Sequence, residues 1–247
     1  MGLFSRQYKE GKGVTKEDAT RQRPFLIQFL KTFWNRLGNV IGLNILYIFV
    51  CLPIVTIGPA TAALNYVLRN YSQGRPVSMF SDFFAKCKEH FKQGLIVFVI
   101  NAVFAVVMFF AIYAWSSDAL PVPELIKTLA LIIGFFATYV CICANFYIFP
   151  MMVSFNLKTK QLIRNSIILG MYKLGRNLMM IIFTLLIVLP LVLFFPASLP
   201  FIILLPFSTI WLFNNCCVYP VFLKHIAVPE EKNENNEEDE PVFKDRH

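Results

Sequence analysis

Asn44-Ile45-Leu46-Tyr47-Ile48-Phe49-Val50-Cys51-Leu52-Pro53-Ile54-Val55-Thr56-Ile57-Gly58-Pro59-Ala60-Thr61-Ala62-Ala63-Leu64 decides how this chain folds. The stretch opens as an apolar helix and is broken twice, at Pro53 and at Gly58-Pro59. A second helix starts at Pro59, because the fixed φ of proline suits a first helical turn. Its opening residues, Ala60, Thr61, Ala62 and Ala63, are small and let neighbouring backbones come close. Interrupted backbone at membrane depth has to be buried in protein or line a wet cavity. The sequence therefore predicts a kinked hairpin sheltered by other helices, with Pro53, Gly58, Pro59, Ala60 and Thr61 as its packing motif.

The rest of the chain has the composition such a hairpin needs. Of 247 residues, 57% are hydrophobic and 15% charged, against about 25% charged in soluble domains. The charges are segregated: Arg36 to Arg69, Lys92 to Asp118, Lys127 to Lys158 and Arg176 to Lys224 enclose intervals without a charged side chain. A crossing needs roughly 20 apolar residues, so the last interval reads as two spans joined at Pro196–Pro200. The expected fold is all-α: a polytopic transmembrane helical bundle of five to six spans. Residues 25–224 form the helical domain, flanked by a basic disordered segment, 1–24, and an acidic disordered tail, 225–247. No cleavable signal peptide is expected, since the first 24 residues are polar, and Arg6 stands where a myristoylation signal needs Ser or Thr.

Three amphipathic stretches lead into spans. Phe25, Leu26, Phe29, Leu30, Phe33 and Leu37 recur at helical spacing, with Trp34 at an interfacial position. Asp82 to Gln93 carries Phe83, Phe84, Cys87 and Phe91 on one side, with Ser78 or Ser81 as its cap. Gln161 to Leu174 is the third. Each is a basic helix, a Gly or Asn, and then a span with a returning partner, so the chain reads as three amphipathic-helix-plus-hairpin repeats. Basic-flanked hairpins of any origin share this look. The short return, Ile54 to Tyr71, is about 27 Å long and reads as either a thin span or a re-entrant half-helix.

Basic residues sort the connections. The N-terminus, Arg69–Lys92, Lys158–Arg176 and the Lys224 region are basic, whereas Ser116–Glu124 and Pro196–Pro200 have no Lys or Arg. The basic set is expected on the cytoplasmic side, with both termini inside and the Pro53–Gly58 break toward the outside. The formal charge of +8 favours anionic lipid and not nucleic acid, since no soluble basic domain carries it.

The chemistry expected of the chain is sparse. Asn44, Asn101, Asn145, Asn214 and Asn215 are polar groups at membrane depth; Asn44, Asn101 and Asn145 are the candidate polar path, and helix-to-helix glue is the plainer reading. No ionisable residue is placed mid-span, which weighs against an ion-driven machine. Six cysteines, Cys51, Cys87, Cys141, Cys143, Cys216 and Cys217, show neither zinc nor disulfide spacing. Asp82 and Glu89, seven apart, read as a solvated face. With no phosphate-binding loop and no nucleophile set, neither an enzyme nor a cofactor is expected. Asp82, Phe83, Phe84, Lys86, Lys92 and Gln93 are the candidate partner or lipid surface.

Leu52-Pro53-Ile54-Val55-Thr56-Ile57-Gly58-Pro59-Ala60-Thr61-Ala62-Ala63-Leu64, followed by Ser81-Asp82-Phe83-Phe84 and Phe91-Lys92-Gln93, closely resembles the YesL family of bacterial membrane proteins, a domain of unknown function. Met1-Gly2-Leu3-Phe4 is similar to its starts, and the Tyr8–Lys16 insert looks like clostridial members. The resemblance covers residues 25–222 and is looser from Asn165 onward. It implies a plasma-membrane protein of a Gram-positive bacterium and, from the usual gene neighbourhood, a link to carbohydrate ABC importers. The leading expectation is a non-catalytic accessory protein working with the permease subunits of such a system. The alternatives are a carrier or channel for a small uncharged solute such as a sugar, with Trp115, Tyr139 and Tyr147 as stacking groups, and a lipid-binding scaffold.

Overall fold

The computed structural model describes residues 24–116 and 122–225. The expected disordered segments at the two ends and most of the Ser116–Glu124 turn lie outside the described residues. Every described element is a helix: α1 (Phe25–Asn35), α2 (Leu37–Cys51), a short 3-10 turn (Ile54–Thr56), α3 (Ile57–Gln73), α4 (Met79–Glu89), α5 (Phe91–Ser116), α6 (Glu124–Ser154), α7 (Thr159–Tyr172), α8 (Leu174–Leu193), α9 (Leu199–Leu204) and α10 (Pro206–His225). Three of them, α5, α6 and α8, are long and apolar enough to cross a membrane.

Helix α3 is the axis of the body. Fourteen of its 17 residues are buried, from Gly58 to Ser72. It meets α6 and α10 at the centre, and α4 and α5 pack on its outer side. Helix α7 lies against α6, and α1, α2 and α8 lie against α10. The amphipathic helices α1, α4 and α7 each end at one non-helical residue, Arg36, His90 and Lys173, before the next helix begins. Aromatic packing binds this ring: Phe29 of α1 meets Phe183 of α8 edge-on at 5.5 Å and Phe213 of α10 at 5.3 Å.

Glycine decides two local features. Gly74, at φ 71°, ends α3 in the left-handed conformation, where only glycine is unstrained. Its N–H donates to the Tyr71 carbonyl and that of Arg75 to the Asn70 carbonyl, the paired closure of a helix C-terminus. Gly58 lies backbone to backbone against Gly94 of α5. A Cβ on Gly58 would stand 2.1 Å from the Gly94 carbonyl oxygen, and one on Gly94 would stand 2.7 Å from the nitrogen of Pro59.

That contact corrects the expected position of the break. Gly94 is only two residues past Lys92, so the Pro53–Gly58 break sits at the basic end of α5 and not at its far end. The close backbone contact of Gly58 with Gly94 fixes that level. Shelter is also uneven. Gly58 to Leu64 are buried, but Leu52, Ile54 and Val55 are exposed, as is Pro53. The corner can face outward because the Thr56 hydroxyl donates to the Val50 and Pro53 carbonyls and so closes the end of α2 locally.

Three element boundaries also differ from expectation. The second amphipathic helix stops at Glu89, so Phe91, Lys92 and Gln93 start α5. Its face splits, with Phe83 fully buried and Phe84 about half exposed. Ser78 holds the N-cap position, but the capping side chain is that of Asp82, whose Oδ2 accepts the Ser78 N–H at 2.8 Å. The expected return from Phe201 to Phe222 is broken at Leu205, where Pro206 opens α10.

Beyond Val97 in α5 and before Cys143 in α6, no residue of these two helices is buried, so they project from the body as a hairpin. The Gly58–Gly94 seam generates a prediction. Gly58→Ala forces α3 and α5 apart, and overpacking of this kind costs about 1–3 kcal/mol. A clear loss of thermal stability in detergent, measured by the folded fraction after heating, is the expected outcome; a Tm equal to that of the unaltered protein would refute it.

Candidate functional site

The polar interior is built on one stripe of α3. Thr61, Asn65 and Arg69 recur every four residues, so they share one helix face, and all three are buried. Tyr47 and Thr61 exchange a hydroxyl hydrogen bond of 3.0 Å between α2 and α3. Asn215 of α10 donates to Oδ1 of Asn65 at 2.8 Å. Arg69 donates to the Val153 carbonyl at 2.6 Å and to the Ser154 hydroxyl at 3.0 Å. These are the last residues of α6, where the helix dipole favours a cation. A buried arginine is held by hydrogen bonds from its full charge to carbonyls and a hydroxyl, the condition under which burial of charge is tolerated.

Around Arg69 lies a small basic and aromatic cluster. The Tyr66 ring has the Arg69 guanidinium 5.2 Å from its centroid and the Lys86 ammonium at 4.9 Å. Lys86 also donates to Glu89 at 2.5 Å, and this bond is the main reason the Glu89 carboxyl lies below its ordinary pKa. Burial pushes the His90 imidazole below its usual value, against the opposing attraction of Glu89. Among the described residues, no group of three or more His, Cys, Asp or Glu side chains comes together to hold a metal.

Most other buried amides serve interrupted backbone. Pro150 within α6 has no N–H for the Phe146 carbonyl four residues earlier, and Asn214 Nδ2 of α10 donates to it at 2.8 Å. At the break between α9 and α10, Asn44 Nδ2 donates to the Ile203 carbonyl at 2.8 Å, and its Oδ1 accepts the Ser208 N–H at 2.9 Å. Asn44 thus closes both ends of the interruption that Pro206 makes. Asn177 closes one side of the Lys173 joint: its Nδ2 donates to the Gly170 carbonyl, and its Oδ1 accepts the Tyr147 hydroxyl of α6 at 2.7 Å. Gln28 reaches the Ser72 carbonyl at the end of α3, and Arg176 reaches that of Cys217, both at 2.8 Å.

The candidate residues therefore separate. Asn44 is a clip on α9 and α10. Asn101 and Asn145 bond each other across α5 and α6, at 2.8 and 3.0 Å, and do not meet Asn44. Trp115 lines an apolar cleft between α5 and α6 with Met108, Ile112 and Gly134. Tyr147 is fully buried on Asn177. On the outer side, Lys86 covers Tyr66, Lys92 is exposed, and Gln93 donates to the Leu157 carbonyl at 2.8 Å. Asn65, Arg69 and Asn177 are among the interior polar residues that the expected polar path does not include. The i, i+4 spacing of Thr61, Asn65 and Arg69 is the sequence signal for the first two, and Asn177 has none.

A helical body carrying three helices long enough to cross a membrane defines the class of protein. Residues 40–112 match the model of a family described as "Protein of unknown function, DUF624". The match runs from Val40 in α2 to Ile112 in α5 and so contains the double break, α3, α4 and the Gly58–Gly94 seam. No curated protein and no solved structure matches the chain.

Two predictions test the backbone roles. Asn214→Leu leaves the Phe146 carbonyl without a donor and should cost about 1–3 kcal/mol. In the Pro150→Ala background, where an N–H is restored, it should cost clearly less. A double-mutant cycle on thermal unfolding reads the coupling, and strict additivity would remove Asn214 from this role. Arg69→Met keeps the packing volume but strips Val153 and Ser154 of their donor, with an expected loss of about 2–4 kcal/mol. Unchanged yield and melting for Arg69→Met would show the guanidinium to be dispensable.

Proposed function

We propose that this chain is a non-catalytic accessory protein of the bacterial plasma membrane that assembles with permease subunits of a carbohydrate ABC uptake system. One observation carries the reading: the buried amides and the buried guanidinium close interrupted backbone, while the largely apolar α5–α6 hairpin has no buried residue beyond Val97 and before Cys143. Residues committed to holding helices together support a packing protein, and a bare hairpin supports lateral association within the bilayer. The resemblance to the YesL family supplies the choice of partner.

In this reading the end of the body bearing Lys92, Lys158 and Lys160 faces the cytoplasm, as basic connections do, and both termini lie on that side. Three units, each an amphipathic helix, a one-residue joint and a hairpin, stand as internal repeats around α3, α6 and α10. The α2–α3 hairpin is then re-entrant from the cytoplasmic side, because its break abuts Gly94.

Affinity purification of the full chain in mild detergent from its host tests the proposal. Permease subunits of a sugar importer should co-elute, and a deletion strain should take up the corresponding sugar more slowly. Repeated purification without a permease, together with normal uptake, would overturn it. Sugar flux through the purified protein alone in liposomes, abolished by Asn101→Leu, would favour the carrier reading instead.

A further inference from the structure

Helix α7 carries basic residues and no acidic one. Between Glu124 and Glu230 the sequence has no acidic residue. Two cations of that interval already have protein partners, Lys127 on Glu124 and Arg176 on the Cys217 carbonyl, and Lys173 lies over the Tyr172 ring. Lys160 and Arg164 differ. Both are exposed, they lie one turn apart, and neither has an acidic partner among the described residues.

These two cations line a shallow, open groove on the outer face of α7, with Ile163, Ile167 and Ile168. Lys160, Arg164 and Ile168 form one stripe at i, i+4 and i+8, with Ile163 and Ile167 beside it, so the groove passes from charge to hydrocarbon over about 12 Å. Its direction is fixed by two contacts. Gln93 Nε2 holds the Leu157 carbonyl at 2.8 Å, so the Lys160 end is level with the start of α5 and Lys92. Gly170, two residues past the isoleucines, packs on Cys143 and Ala144 of α6, at the level where the apolar hairpin leaves the body. The groove therefore begins at the basic rim and runs toward the depth of the long apolar helices.

A soluble anion would use the two cations and leave the isoleucines bare, and a neutral lipid would use the isoleucines and leave the cations unpaired. We propose that the groove binds one anionic glycerophospholipid, its phosphate between Lys160 and Arg164 and an acyl chain along Ile163, Ile167 and Ile168. Charge complementarity and the polar-to-apolar direction select this occupant. The site stands apart from the accessory role, so failure of one leaves the other in place.

Native mass spectrometry of the purified full chain tests it, with phosphatidylglycerol and phosphatidylcholine of equal acyl length titrated separately. One phosphatidylglycerol should stay bound under conditions that strip phosphatidylcholine. Lys160→Gln with Arg164→Gln should weaken retention on the order of tenfold or more, Ile167→Asn should also weaken it, and Lys31→Gln on α1 should not. The charge-preserving pair Lys160→Arg with Arg164→Lys should bind as the unaltered chain does, which separates charge from folding. Equal retention of both lipids, full retention by the doubly neutralised variant, or complete displacement by millimolar glycerol phosphate would overturn the proposal.

Discussion

A carbonyl removed from water has to find a donor, and this constraint organises the molecule. Unpaired backbone in an apolar setting costs several kcal/mol per group, yet the chain interrupts its helices repeatedly, with prolines and single-residue joints. Side chains from distant segments repair the interruptions. Asn214 answers Pro150, Asn44 answers Pro206, Asn177 answers the joint at Lys173, Arg69 closes the end of α6 and Gln28 closes that of α3. Because the donor and the break usually sit on different helices, each repair is also a tertiary contact. The breaks therefore tie the body together where they might have loosened it.

This economy bears on how the interior is read. Polar groups inside apolar protein are often taken as marks of a transport route. Here their geometry is that of fasteners: short bonds to main-chain carbonyls, or reciprocal amide pairs such as Asn101 with Asn145. Arg69 follows the same rule at higher stakes, since its full charge is set against the C-terminal carbonyls of α6, where the peptide dipoles favour it. The outward surface has the opposite character, with cations along α7 and hydrocarbon along α5 and α6.

Much of the architecture was legible in the chain. The helical periodicity of Phe25, Phe29 and Phe33 marked a face that does pack inward, on Phe183 and Phe213, and the unbroken apolar runs marked α5 and α6. The joints after α1, α4 and α7 fall within a few residues of the basic segments that announced them. What escaped was pairing. Pro150 in an apolar run signals a carbonyl left without a donor at Phe146, but nothing local names Asn214, 68 residues away, as the donor. The level of the first break escaped for a related reason. Counting charges sorts loops by side, but the depth of α3 is set by Gly58 meeting Gly94, a contact between residues with no side chain to reveal it. Arg69 was mistaken for a loop boundary because charge in an apolar chain usually marks one, and its stripe with Thr61 and Asn65 was the contrary sign.

The seam between Gly58 and Gly94 has a mechanical meaning. Side chains at most helix crossings can change rotamer and absorb small displacements, but two bare backbones have no such compliance. The tip of α5 at Ser116 lies 22 residues beyond Gly94, a lever of about 33 Å. A load on that distant tip would bear on a contact with no side chain to yield.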